Sequence, residues 1–143
     1  MRNAPVILMI ACGGYRPGLG PYHAQTLESV IAHTPGLDVF MPSTASDAAG
    51  LLNAAFESER PTVFLYPKSM LNNPDLTTSA DVDRQFVPIG TARKVRAGRD
   101  VTLVGWGNTV PLCSRVAAAL ENAGVEAEVL DLRCLSPWDQ PAV

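Results

Sequence analysis

From Pro5 the chain reads Pro-Val-Ile-Leu-Met-Ile10, an unbroken apolar and β-branched run that leads into a glycine-rich stretch. Such a run predicts a strand buried on both faces of a parallel sheet. Gly13, Gly14, Gly18 and Gly20, interleaved with Pro17 and Pro21, predict a sharply bent loop after it. Between Gln25 and His33, Leu27, Val30 and Ile31 recur at helical spacing, and Pro35-Gly36 ends that short helix. Asp38 to Met41 is a strand. Thr44 is an N-cap with Asp47 in the first turn, and a helix follows through Phe56, with Leu51, Leu52, Ala55 and Phe56 on its apolar face. Arg60-Pro61 stops it before a strand from Thr62 to Tyr66. Strands alternating with helices predict an α/β fold around a parallel sheet.

Periodicity then lapses. Residues 71–85 carry Asn72-Asn73-Pro74, Thr77-Thr78-Ser79 and several aspartates, and form a linker between a first domain over 1–70 and a second over 86–143. The second begins with a β segment from Phe86 to Val95, continues with a strand from Asp100 to Trp106, a helix from Asn108 to Ala123 and a strand from Val125 to Leu132. Val110, Cys113, Val116, Ala117 and Leu120 form the apolar face of the helix, and Gly124 closes it. Ser136 as a cap, Pro137 at the first helical position and Asp139 beside the dipole predict a new helix at the end. Two strands and one full helix do not cover both faces of a sheet, so the second domain is expected to be partial or completed by a partner.

Composition narrows the class. Hydrophobic residues make up 47% of the 143 and charged ones 17%, which is the balance of a chain that folds around a core. A net charge of −3 without any Lys/Arg run predicts neither a nucleic-acid nor a membrane partner. Cys12, Cys113 and Cys134 are an odd, widely spaced set that suggests neither a disulfide framework nor a zinc site, and a reducing cytoplasm is the expected compartment.

The chain holds two histidines. His23 follows the glycine-rich loop at the mouth of a parallel sheet, where such folds bind ligands, and its imidazole exchanges protons near neutral pH. It is the catalytic candidate, against the plainer reading of a surface histidine. Tyr22 and Gln25 flank it and would either bond a substrate or anchor the loop. His33, at a helix end before Pro35-Gly36, has a structural role. Glu28, Glu57, Glu59, Glu121, Glu126 and Glu128 fall mostly on solvent faces. There is no nucleophile elbow, no HExxH and no GxGxxG. The residues by themselves define a ligand-binding α/β domain.

Read together, Gly20-Pro-Tyr-His-Ala-Gln25, Ala32-His-Thr-Pro-Gly-Leu37 and Val39-Phe-Met-Pro-Ser43 resemble the beta subunits of pyruvate and branched-chain 2-oxoacid dehydrogenase decarboxylases. Asp47-Ala-Ala-Gly-Leu-Leu52, Pro61-Thr-Val-Phe-Leu65 with Pro67-Lys68, Asp100-Val-Thr-Leu-Val-Gly-Trp-Gly107 and Asp131-Leu-Arg-Cys-Leu-Ser-Pro-Trp-Asp139 continue the likeness in order and spacing. The resemblance implies the C-terminal portion of a transketolase-like pyrimidine-binding domain followed by the start of a second α/β domain. It implies thiamine diphosphate shared between subunits of an α2β2 tetramer, magnesium held by the alpha subunit, and a lipoyl-bearing acyltransferase as further partner.

His23 matches the active-site histidine of a block usually reading His-Ser-Gln, with Ala24 in place of serine, and Tyr22 and Gln25 would lie near the cofactor. The glutamate that contacts the aminopyrimidine lies upstream of the segments present, so the chain is expected to be an incomplete subunit, inactive alone. A potassium site of some members would map to Ala55, Phe56 and Ser58. Ser58 and Arg60 stand there in place of an aspartate and an asparagine, and the Arg60 cation opposes a second cation. A usual arginine after the first strand is replaced by Met9 or Ile10. The alternative is a non-catalytic assembly or binding protein that reuses the fold; a transketolase or deoxyxylulose-phosphate synthase relative fits the His-Ala-Gln and Leu-Ser-Pro-Trp-Asp blocks less well.

Overall fold

The computed structural model describes residues 4–143. In chain order the elements are β1 (Ile7–Cys12), α1 (Gly20–His23), α2 (Glu28–Ala32), β2 (Asp38–Phe40), α3 (Ala45–Glu57), β3 (Thr62–Pro67), β4 (Arg93–Arg96), β5 (Val101–Gly105), α4 (Thr109–Glu121), β6 (Ala127–Asp131) and β7 (Cys134–Ser136). Short 3₁₀ turns occupy Val82–Arg84 and Gln140–Ala142. Two sheets result, one with strand order β1-β3-β2-β7 and one with order β4-β6-β5. β1 and β2 both run parallel to β3, and β5 runs parallel to β6, which is the expected α/β arrangement.

Helix α3 forms where local chemistry demands it. The Thr44 side chain accepts from the Asp47 N–H at 3.0 Å, satisfying an orphan donor of the first turn, and the Asp47 charge sits at the positive end of the helix. Leu51 and Ala55 are buried against Phe40 and Phe64, whose rings meet edge to face. Phe56, expected on the same face, instead projects outward and is 73% exposed. Val116 of α4 departs in the same way, while Val110 and Ala117 are buried. On the other face of the first sheet, Cys12, Val39, Met41, Val63 and Leu65 pack together with Ile31 and Leu37 around them.

Two further expectations are corrected. Among the described residues β1 is an edge strand, because β3 lies inside the sheet and gives β1 a neighbour on one side only. Leu8 and Met9 are therefore 51% and 55% exposed, and the most apolar run of the chain is not buried on both faces. The terminal helix at Ser136 also does not form. Residues Cys134–Ser136 pair antiparallel with β2 instead, and the Ser136 hydroxyl donates to the Leu37 carbonyl at 3.1 Å rather than capping a turn. Burial of Cys134 among Phe40, Leu51 and Phe64 rewards that pairing, and a local cap does not outweigh it. Asp139 keeps a capping role elsewhere, accepting from the N–H groups of Ala92 at 2.8 Å and Ala142 at 3.3 Å.

β7 thus carries the second segment back into the first sheet. The segments also meet at Gly107, whose N–H donates to the Met41 carbonyl at 3.0 Å. Its φ of +50° and the Met41 and Pro67 side-chain atoms, which would lie 2.9 to 3.0 Å from any Cβ there, exclude a larger residue.

Leu65→Ala, at the buried centre of β3, should lower unfolding free energy by about 2–5 kcal/mol. Leu8→Ala on the exposed edge should cost less than about 1 kcal/mol. Urea denaturation of the two variants checks the ranking.

Candidate active site

The carboxyl ends of β1 and β3 lie side by side, with Cys12 opposite Pro67 in register. From that mouth the chain turns at Gly13, in the left-handed region at φ +74°, and returns twelve residues later, where the Gly13 N–H donates to the Gln25 carbonyl at 2.8 Å. The loop is therefore closed at its root. Within it, α1 is a single turn that ends at His23. Tyr22, His23 and Gln25 are all exposed, Tyr22 to 86%, and among the described residues none of their side chains has a hydrogen-bond partner. The three candidates are brought together on one loop at the strand ends, facing outward. His33 lies apart from them as the C-cap of α2, its N–H donating to the Ser29 carbonyl at 3.3 Å.

A cavity of about 200 Å³ opens at the carboxyl ends of β2 and β3, lined by residues such as Ser43, Thr44, Tyr66, Met70 and Leu71. Its walls are largely apolar. Among the described residues, no three His, Cys, Asp or Glu side chains converge to hold a metal ion. The donor set therefore fits one wall around the organic part of a cofactor such as thiamine diphosphate; it does not fit the anionic diphosphate with its metal.

The residues mapped to a potassium site fall elsewhere. Ala55 is buried in the core, Phe56 is exposed, and the Ser58 hydroxyl accepts from the Arg60 N–H at 3.2 Å. All three line an apolar groove with Pro5, Val6, Ile7, Met9 and Leu52 under the open edge of β1. The Arg60 guanidinium is engaged with Asp38 at 2.8 Å.

A buried charge network was not legible in the sequence. Arg133, itself at φ +58°, donates from Nη1 to Asp47 Oδ1 at 2.9 Å and from Nε and Nη2 to the Thr91 carbonyl at 3.1 and 2.9 Å. Arg93 donates from Nη2 to Asp131 Oδ2 and to the Ser43 hydroxyl, both at 3.1 Å, and Ser43 in turn donates to Asp131. Arg93 Nε lies 3.2 Å from Asp47 Oδ2, an ion pair by distance whose N–H is not aimed at the oxygen. Burial raises the Asp131 carboxyl above its ordinary range, against the opposing pull of the Ser43 and Arg93 bonds. The acids of consequence are thus Asp47 and Asp131 and not the surface glutamates; the only local hint was a pair of aspartates inside otherwise apolar segments.

Two further buried groups titrate abnormally. Burial pushes the Cys12 and Cys134 thiols up to about 11.

A parallel α/β sheet with a closed, exposed polar loop at its strand ends is the geometry of a ligand-binding domain, and comparison with known proteins supplies the family. Residues 1–74 match the model of the transketolase pyrimidine binding domain and residues 90–143 that of the transketolase C-terminal domain. The chain belongs to the transketolase pyrimidine-binding family. Among relatives, 2-oxoisovalerate dehydrogenase subunit beta, mitochondrial, of Dictyostelium discoideum is 39% identical over 87% of this chain and 33% of that protein. Pyruvate dehydrogenase E1 component subunit beta of Rhizobium meliloti is 40% identical over 99% of this chain and 30% of that protein. The 2-oxoisovalerate dehydrogenase subunit beta of Bacillus subtilis is 36% identical over 99% and 42%. The chain spans well under half the length of these relatives. Among solved structures, a split-gene transketolase described as an inactive beta4 tetramer superposes over 96% of this chain and 42% of its own, with TM-score 0.76 and 25% identity. A Pichia stipitis transketolase, at TM-score 0.73 and 22% identity over 96% and 20%, shares the fold.

Arg133→Met should lower unfolding free energy by about 3–5 kcal/mol, because it leaves the buried Asp47 carboxylate without the guanidinium that donates to it; urea denaturation measures it. The raised thiols predict a pH dependence. Unfolded thiols ionise near pH 8.5 while the folded ones hold their protons to about 11, so this contribution is fully present below about pH 8.5 and is lost as pH rises through about 11. In Cys134→Ala the decline in stability between about pH 8.5 and 11 should be shallower than in the parent.

Proposed function

We propose that this chain forms part of the beta subunit of a 2-oxoacid dehydrogenase of the pyruvate or branched-chain type, and that His23 is its proton-handling group. The observation that carries this reading is the Tyr22-His23-Ala24-Gln25 block, held on a closed loop at the strand ends with its side chains turned outward. Groups so placed serve a pocket whose other wall comes from another chain, and the alpha subunit is that partner. The activity is oxidative decarboxylation of a 2-oxoacid and transfer of its acyl group to lipoamide on an acyltransferase component. Thiamine diphosphate supplies the carbanion chemistry when bound. His23 donates or accepts a proton at the reacting carbonyl, while Tyr22 and Gln25 offer hydrogen bonds that hold the substrate carboxylate or the imidazole in place. Magnesium belongs to the partner's wall, in keeping with the apolar cavity here. Ala55, Phe56 and Ser58 keep a potassium ion only if their carbonyls turn toward a common point, which the apolar groove around them disfavours.

A reducing compartment such as the cytoplasm suits three free cysteines, two of them buried. One observation favours a second reading, a non-catalytic assembly protein: the open apolar edge of β1, which invites association without chemistry.

The chain mixed with an alpha subunit, thiamine diphosphate and a lipoyl acceptor should consume a 2-oxoacid, and His23→Ala should lower kcat by about 10²–10⁴. A stable mixed complex in which His23→Ala turns over at the parent rate overturns the assignment; self-association that ignores both additions favours the assembly protein.

A further inference from the structure

The loop bearing Tyr22, His23 and Gln25 has little to hold it in place. Gly13, Gly18 and Gly20 all take positive φ, so its backbone has many conformations to lose, and every residue from Pro21 to Thr26 is exposed. Among the described residues, apart from the Gly13 to Gln25 bond at its root, one long-range hydrogen bond reaches its working end. Lys68 follows the last residue of β3, the central strand, and its N–H donates to the Cys12 carbonyl at 3.0 Å, so its backbone is fixed at the mouth of the sheet. From there its side chain crosses to the loop, and the ammonium donates to the carbonyl of His23 itself. His23 closes a one-turn helix, whose last carbonyls have no partner inside the turn, so the ammonium meets an acceptor that would otherwise face water.

We propose that Lys68 is a positioning residue for His23: a cation anchored on the central strand, clamping the backbone of the loop so that the imidazole is presented from one place. The inference rests on the reading of His23 as the group that faces the substrate. The clamp acts on the carbonyl and leaves both ring nitrogens available to a ligand. The same ammonium acts on the buried Cys12 thiol, where its charge opposes the effect of Glu28. A charge-assisted bond is stronger than a neutral one, yet this one is open to water, so its effect is on the loop's conformational population more than on global stability.

Hydrogen exchange of the full chain, followed at the Gly13 amide and across residues 14–25, tests the clamp in Lys68→Met, which keeps the stem and removes the charge, and in Lys68→Arg, which restores a donor. Exchange is expected to be about three- to tenfold faster in Lys68→Met, with an unchanged urea midpoint, and close to the parent in Lys68→Arg. Unchanged exchange in Lys68→Met overturns the proposal; so does equal acceleration in both variants with a falling urea midpoint, which marks a general stabiliser. In the mixed complex with an alpha subunit, Lys68→Met should lower kcat with KM held, and Lys68→Arg should recover it. A parent kcat in Lys68→Met while His23→Ala is slow overturns the positioning role. A parent kcat in both overturns the reading of His23, leaving exchange to decide whether the clamp exists.

Discussion

The pairing of Arg133 with Asp47, and of Arg93 with Asp131, is the constraint on which the remaining architecture depends. Asp47 sits in the first turn of α3, packed on the first sheet, while Asp131 ends β6 of the second. Arg133 then closes the two-residue step between β6 and β7, bonding Asp47 through its side chain and Met41 through its carbonyl at 2.8 Å. Removing two carboxylates from water is costly unless each oxygen finds a donor, and here the two guanidinium groups, the Thr44 and Ser43 hydroxyls and the Arg133 N–H supply them. The chain meets that cost only in one relative placement of the two sheets. A fit between greasy surfaces alone would tolerate sliding; forked donors on fixed carboxylates do not.

That fixed placement bears on the candidate site. Met41, Pro42 and Ser43 leave β2 between the network and the cavity at the strand ends, and Gly107 packs against Met41 and Pro67 from the second segment. Lys68 follows Pro67 directly. The strand end that carries Lys68 is thus packed by both segments, although every candidate side chain comes from the first. The second segment contributes rigidity to a wall whose chemistry it does not carry.

How far the sequence was legible follows from the range of each interaction. α3 was readable nearly to the residue, since Thr44, Asp47 and the apolar spacing are local. The direction of the sheet and the placement of His23 at its mouth were readable too, because alternation of strands and helices fixes which strand ends share a side. Edge against centre was not readable for β1, for its apolar residues describe what the strand can pair with and not how many neighbours it finds. The Ser136-Pro137-Trp138-Asp139 segment misled because a local capping pattern competed with burial of Cys134. Asp47 and Arg133 are 86 residues apart, and Lys68 and His23 are 45 apart. Nothing near either residue announces such a partner. The candidate side chains were therefore legible one by one, whereas the bonds that support their loop were not.

The two borders of the first sheet are unlike. β1 offers six uncharged residues free of proline along an open ladder, whereas β7 is three residues long, joins β2 through an irregular register and is followed at once by Pro137. Strand donors can therefore approach from one side, and the other side is blunted. A sheet with two receptive borders can be extended without limit into fibres; one with a single receptive border is satisfied by one visitor. The antiparallel return of the chain through β7 thus blunts one border of this sheet and directs any edge-to-edge pairing to the other.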